Sequence, residues 1–266
     1  MNIVGVAVKA AAMGVFQVAG VIRPRNPAQG LVHRDTVINL VNGVLLFALK
    51  LFLLNQVLGL LEIGLIDLSW LPGGPVQYLF ALLVLDFTRY WVHYADHRVG
   101  FLWNFHRVHH SAETLDSTTG LRMHLFDFFQ LICIPVVTFG LLFNGKQLDP
   151  WVLPAALATA DVFDAFEHSN MRWSEKGTLA RMWGRVFNNP LFHSWHHTRD
   201  ATLCDGNYGN TLVIWDRMFG TEVTRPEPPP LMGLTEDQAL DDRSLIGLQL
   251  LRRRPSPESV GEPATA

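Results

Sequence analysis

The chain has 266 residues, 49% of them hydrophobic and only 17% charged, with a formal net charge of -3. A charged fraction well below the roughly 25% of an ordinary soluble domain points to a membrane. The weak acidity and the lack of a basic stripe interleaved with aromatics exclude nucleic acid as a partner. The two cysteines, Cys133 and Cys204, build no disulfide framework and have no neighbour at zinc-finger spacing.

Residues 1–36 begin with an apolar stretch that carries Lys9 in its middle and lacks a basic start. This predicts an interfacial segment in place of a cleaved signal peptide. Four apolar runs follow. Val37 to Leu61 is broken by Asn39, Asn42, Lys50 and Asn55, and Val76 to Val92 carries Asp86 and Arg89 near its end. Leu125 to Phe143 carries Asp127 at its start, and Trp151 to Phe166 carries Asp161 and Asp164 late. A helix needs about 20 residues to cross roughly 30 Å of hydrocarbon. The runs therefore predict an all-α, multi-pass membrane protein with about four transmembrane helices in two hairpins. The connection from Glu62 to Pro75 has no Lys or Arg, and that from Asn144 to Pro150 has only Lys146. The basic residues gather on the other side, which the positive-inside bias makes the cytoplasm. Residues 1–221 read as a single domain. From 222 to 266 the composition turns to RPEPPP, a polar stretch, Arg252 to Arg254 and PSPESVGEPATA, which predicts a cytoplasmic tail with little fixed order.

Ten of the eleven histidines lie between His93 and His197. They form one HxxxH (His93, His97), two HxxHH (His106, His109, His110 and His193, His196, His197) and two singles (His124, His168). At this histidine frequency one HxxHH arises by chance with probability roughly 0.02, and two far more rarely, so the pattern needs a cause. His93 and His97 end the second apolar run, His124 precedes the third and His168 follows the fourth, so hairpin packing would bring them to one face, forming a histidine-rich helical cap. On a helix, positions i, i+3 and i+4 are neighbours, which predicts a three-imidazole patch from each HxxHH. Ten imidazoles exceed the needs of one ion and suit two metals with four or five nitrogens each. Imidazole binds zinc, copper, iron and nickel alike. A site at the membrane surface above apolar helices suits a redox metal that activates dioxygen against a lipid C–H bond. Asp86, Asp96, Asp161, Asp164, Glu167 and Asp200 are candidates to orient ligand histidines. His33 stands outside the cluster and reads as structural.

These residues resemble the fatty acid hydroxylase and sterol desaturase superfamily of membrane di-iron proteins. The resemblance runs through His93-Tyr-Ala-Asp-His97, His106-Arg-Val-His109-His110-Ser111, Arg122-Met-His124, Glu167-His168-Ser169-Asn170 and His193-Ser-Trp-His196-His197. It continues into Asn207-Tyr208-Gly209 and the closing Trp215-Asp216-Arg217-Met218-Phe219-Gly220-Thr221, covering roughly residues 80 to 221. One departure is Leu125, where the family often has proline after the histidine matching His124. The resemblance implies two iron ions held by an eight-histidine core, His93, His97, His106, His109, His110, His193, His196 and His197, with His124 and His168 as additional ligands. It implies use of O2 and two electrons to hydroxylate or desaturate a sterol, fatty acyl, alkylglycerol or related lipid. It also makes residues 207 to 221 cap-forming, with Asn207 and Asp216 as candidates to hydrogen-bond ligand histidines.

The chain has no GxGxxG after a strand and no haem domain, so electrons are expected from a separate reductase with a ferredoxin or cytochrome. The absence of a KDEL-type signal favours a bacterial plasma membrane. A membrane metal transporter or metal sensor is the main alternative, because HxxxH pairs also serve transport. A zinc protease is disfavoured, since Tyr94 and Arg107 stand where HExxH needs glutamate.

Overall fold

A computed structural model describes residues 3–58, 64–174, 176–241 and 244–254. Helices dominate, and among the described residues there is no β-strand, only isolated bridges. The first seven helices, in order, are α1 (Ile3–Ile22), α2 (Arg34–Leu58), α3 (Pro75–Arg98), α4 (Gly100–His110), α5 (Leu125–Phe128), α6 (Ile134–Leu142) and α7 (Val152–Glu167). Short helices α8 (Thr178–Gly184), α9 (Pro190–His196), α10 (Ile214–Phe219) and α11 (Leu245–Gln249) follow. A π-helical turn, Phe129–Cys133, joins α5 to α6, so the third apolar run is one continuous rod.

The rod Leu125–Leu142 and the segment Gly5–Ile22 of α1 are, among the described residues, the two long and apolar enough to cross a membrane. The other apolar runs lie on α2, α3 and α7 and are helical as expected; residues 59–61 of the first run lie outside the described residues. The expected interfacial segment is helical as α1, whose Gly5–Ile22 stretch also has the length and apolarity of a span. Its Lys9 is tolerated in that setting because Nζ stands 2.8 Å from Asp161 and 3.2 Å from Asp164 on α7. Outward faces of α1 and α2 expose Val15, Val18, Val41, Leu45 and Phe52, an apolar surface suited to lipid.

The core sits between α3, α5–α6 and α7. Leu82, Leu85, Leu131, Val136, Phe139, Val152 and Ala156 are buried there together. This packing aligns the C-terminal ends of α3 and α7 with the start of α5, which is where the histidines lie. Part of the expected tail packs onto the helices, because its leucines have a place to bury: Leu234, Leu240 and Leu248 lie against Val108 of α4. Gly233 N donates to His197 O (3.1 Å), and the Gln249 amide donates to Met123 O (2.9 Å) and Asn42 Oδ1 (3.1 Å). The final stretch expected to lack order, 255–266, lies outside the described residues.

Candidate metal centre

Four elements supply the imidazoles. The last turns of α3 carry His93 and His97, α4 carries His106, His109 and His110, His168 caps the C-terminus of α7, and α9 carries His193 and His196 with His197 as its cap. The start of α9 is fixed by Pro190 at its first turn and by Asn189, whose side chain accepts from Leu191 N and Phe192 N (3.1 and 3.0 Å).

Nine imidazoles fall into two adjacent groups. His93, His97, His106, His110 and His196 form one, and His109, His168, His193 and His197 the other; within each, one ring nitrogen per residue lies within 4.8 Å of all the rest. The groups touch, with the rings of His110 and His197 stacked 4.4 Å apart. Each HxxHH was expected to form a single three-imidazole patch, but the structure splits both motifs between the two groups. Helical geometry explains the split. Positions i and i+4 are about 40° apart around the axis, whereas i+3 lies about 60° to the other side. The i, i+4 pairs His93/His97, His106/His110 and His193/His197 therefore stay within one group, and His109 and His196 cross to the other.

The tautomers show that the ring nitrogens facing inward carry no proton. His93 Nδ1 donates to Tyr208 O (2.8 Å), His196 Nδ1 to Gly206 O (2.8 Å), His168 Nδ1 to Asp164 O (2.7 Å) and His109 Nδ1 to Arg122 O (3.3 Å). A carbonyl only accepts, so each of these rings holds its proton on Nδ1 and presents a bare Nε2. His106 Nδ1 is likewise engaged by Asp127 Oδ1 at 2.9 Å. Yet His93 Nε2 and His106 Nε2 stand 3.1 Å apart, as do His168 Nε2 and His109 Nε2. Two bare lone pairs at that distance repel unless a cation lies between them. Nitrogens about 2.1 Å from a common ion and at right angles would be about 3.0 Å apart, so the donor set fits a metal ion in each group. The Nε2 atoms of His97 and His196, buried without a hydrogen-bond partner, fit the same role.

The electrostatics agree. Burial, reinforced by neighbouring imidazoles, holds His93, His97, His109, His110, His193 and His197 well below the ordinary histidine pKa, and burial pushes His196 down to about 3. His106 is the exception: burial opposes its charge, but Asp127 beside it lifts its pKa above the usual value. Neutral imidazoles are the form that binds metal. Rings that stay neutral in the fold but take protons near pH 6.5 once unfolded make the metal-free protein less stable as the pH falls. Each such ring contributes a loss of about 1.4 kcal/mol per pH unit. The melting temperature of the chelator-treated protein should therefore hold between pH 8 and 7 and fall steeply from about pH 6.5 towards pH 5; a flat profile down to pH 5 would contradict this assignment of neutral rings.

His124 is the one candidate ligand not brought to the centre. It is the N-cap of α5: its Nδ1 accepts from Phe126 N (3.0 Å) and its Nε2 donates to Gln249 O (3.0 Å). Both ring nitrogens are committed to backbone, and His124 is removed from the proposed ligand set. Asn207 and Asp216 do not hydrogen-bond ligand histidines directly. Asp216 accepts from Tyr208 N (2.8 Å), Gly209 N (2.9 Å) and Thr221 Oγ1 (2.7 Å), while Asn207, at φ 59°, donates to Phe192 O and Val223 O. Together they fix the segment whose Gly206 and Tyr208 carbonyls orient His196 and His93. Gly209 is required there because a Cβ would stand 2.4 Å from Leu212 O.

The acidic candidates take different places. Asp86 secures the same loop by accepting from Thr211 N, Leu212 N and Trp215 Nε1 (2.9 to 3.1 Å). Asp96 accepts from Gln130 (2.7 Å), and Asp200 lies at the surface in a turn with Thr202. Glu167 accepts from Asn188 and Asn210 and lies 3.9 Å from His193 Nε2. Sequence reasoning missed Asp127 as the partner of His106; the available signal was a carboxylate two residues into an apolar run.

An apolar cavity of about 310 Å³ lies between α1, α2 and α7, lined among others by Met13, Leu40, Val44, Phe47 and Leu157. A small cavity of about 20 Å³ lies between the two histidine groups, lined by His93, His106, His109, His168 and His193. Arg89, Met123 and Asp164 line both, so the larger cavity adjoins the one at the histidines across these three side chains.

The fatty acid hydroxylase family profile matches residues 78–221, more than half of the chain. The chain belongs to the fatty acid hydroxylase family. It is 30% identical to an alkylglycerol monooxygenase of Caenorhabditis elegans over 65% of this chain and 32% of that protein. It is 30% identical to the ornithine lipid hydroxylase OlsE of Rhizobium tropici over 60% of this chain and 46% of the relative. With methylsterol monooxygenase 2-1 of Arabidopsis thaliana it shares 31% identity over 57% of this chain and 58% of the relative. The chain thus spans between a third and just over half the length of these relatives. No solved structure matches it.

Proposed function

We propose that this chain is a membrane di-iron oxygenase that hydroxylates a lipid, using O2 and two electrons from a separate reductase with a ferredoxin or cytochrome. The observation that carries the reading is the pair of imidazole groups with bare nitrogens turned inward, adjoining an apolar cavity. The nine proposed iron ligands are His93, His97, His106, His110 and His196 for one ion, and His109, His168, His193 and His197 for the other. Bound there, iron would supply reductive activation of O2, which no side chain of this protein can perform alone.

The protein's own residues bind and orient. Met13, Leu40, Val44, Phe47 and Leu157 take an alkyl chain, and the small cavity between the histidines has room for about one water-sized molecule. Asp127 and the carbonyls of Gly206, Tyr208, Asp164 and Arg122 hold the ligand rings in one tautomer. The relatives' names, a monooxygenase of alkylglycerols, a hydroxylase of ornithine lipids and a monooxygenase of methylsterols, favour insertion of oxygen over desaturation. The charge bias of the loops favours an orientation with the histidines on the cytoplasmic side of a membrane.

Comparison of lipid extracts by mass spectrometry from a host with and without the gene tests the reading. The expected result is a species heavier by one oxygen that disappears when air is withheld. A species lighter by two hydrogens would overturn hydroxylation in favour of desaturation, and unchanged lipids in an aerobic host with an active reductase would overturn both.

A further inference from the structure

Arg89 stands where the apolar cavity adjoins the histidines: it lines the 310 Å³ cavity, the small cavity between the two imidazole groups, and a third small pocket beside α6. It sits near the end of the apolar run of α3, where a guanidinium is costly unless it has a role. Its five N–H groups need acceptors, yet among the described residues Arg89 makes no hydrogen bond and no ion pair. The carboxylates in electrostatic reach are Asp86, Asp164 and Glu167, and each has donors of its own. Asp86 accepts from the 211–215 turn, Asp164 faces Lys9 at 3.2 Å, and Glu167 accepts from Asn188 and Asn210.

Resting on the proposed lipid hydroxylase reading, we infer that Arg89 is a positioning residue that donates to an oxygen in the polar head of the substrate. Position then selects where oxidation falls. With the head on Arg89 and the chain extended along Met13, Leu40, Val44 and Phe47, the carbons nearest the histidines are those next to the head.

The test is a binding measurement on the purified iron-loaded protein, kept anaerobic and without electron donor so that no turnover occurs. The probes are hexadecan-1-ol, methyl palmitate, palmitate and hexadecane, read by native mass spectrometry. Wild type should bind the alcohol, the ester or palmitate at least about tenfold tighter than hexadecane, the scale of a hydrogen bond to a charged group; which of the three is preferred identifies the oxygen. Arg89→Leu should collapse that ratio towards one while iron content and hexadecane binding stay unchanged. Arg89→Lys should retain part of it, and Arg89→Gln replaces the leucine variant if the latter loses iron. The ratio of the preferred oxygen-headed probe, whether alcohol, ester or palmitate, to hexadecane, if unchanged in Arg89→Leu or Arg89→Gln, overturns the inference. Because no turnover is read, the outcome is separate from the lipid comparison above: a host without oxidised lipid defeats the function, and an unchanged ratio defeats only the role of Arg89.

Discussion

Replacing His109 with alanine should lower the metal content of the purified protein and abolish oxygen-dependent lipid turnover. His109 belongs to the four-imidazole group, its Nε2 is 3.1 Å from that of His168, and its Nδ1 is tied to Arg122 O on a buried segment. Its loss leaves three imidazoles in that group. Nearby rings cannot replace it, because His110 is committed to the other group and His124 is held at the start of α5. Loss of a residue that only orients a ligand costs about 10- to 100-fold in affinity or activity, so loss of the ligand itself should exceed about 100-fold. Elemental analysis and product formation from the same preparation check this. A His109→Ala protein that keeps both full metal and turnover would remove the ligand assignment.

Asp216→Ala should act at a distance, and strongly. The carboxylate is fully buried and accepts from three donors, Tyr208 N, Gly209 N and Thr221 Oγ1. Leaving buried donors without acceptors costs about 1 to 3 kcal/mol each, so a loss of about 3 kcal/mol or more is expected in unfolding experiments. The same change frees the segment whose Gly206 and Tyr208 carbonyls orient His196 and His93, both in the five-imidazole group. Metal retention by that group should weaken by about 10- to 100-fold. Equilibrium unfolding and chelator competition measure the two effects separately. Full stability together with unchanged resistance to chelation would show that Asp216 does not anchor this segment.

Much of the site was legible in the sequence because metal ligation uses a rare residue at helical spacing. Two HxxHH motifs and an HxxxH, set at the ends of apolar runs, announced converging histidines before any coordinates. The division of the ligands was not legible, since it depends on how the second group lies across α4 and α9: adjacent His109 and His110 point to different groups, as do His196 and His197. His124 and His168 looked alike as isolated histidines. What separates them is that His168 ends α7 with Nδ1 turned back to Asp164 O, whereas His124 begins α5 and caps it. Asp127 and the orienting carbonyls of Gly206, Tyr208, Asp164 and Arg122 lie outside the histidine spacing itself, and backbone carbonyls leave no trace in residue identity. The helical class of the fold followed from the apolar runs. The pairing of Lys9 did not, because Asp161 and Asp164 lie more than a hundred residues away, and the packing of Leu234, Leu240 and Leu248 was hidden behind a proline-rich, polar composition.

The central claim is that nine imidazoles form two neighbouring metal sites, and metal counting tests it most directly. Wild-type protein expressed with abundant iron should hold close to two iron ions per chain, as the two donor groups require, and His196→Ala and His193→Ala should each lower that number by depleting a different group. A wild-type chain that binds a single ion, or none, under those conditions would contradict the account.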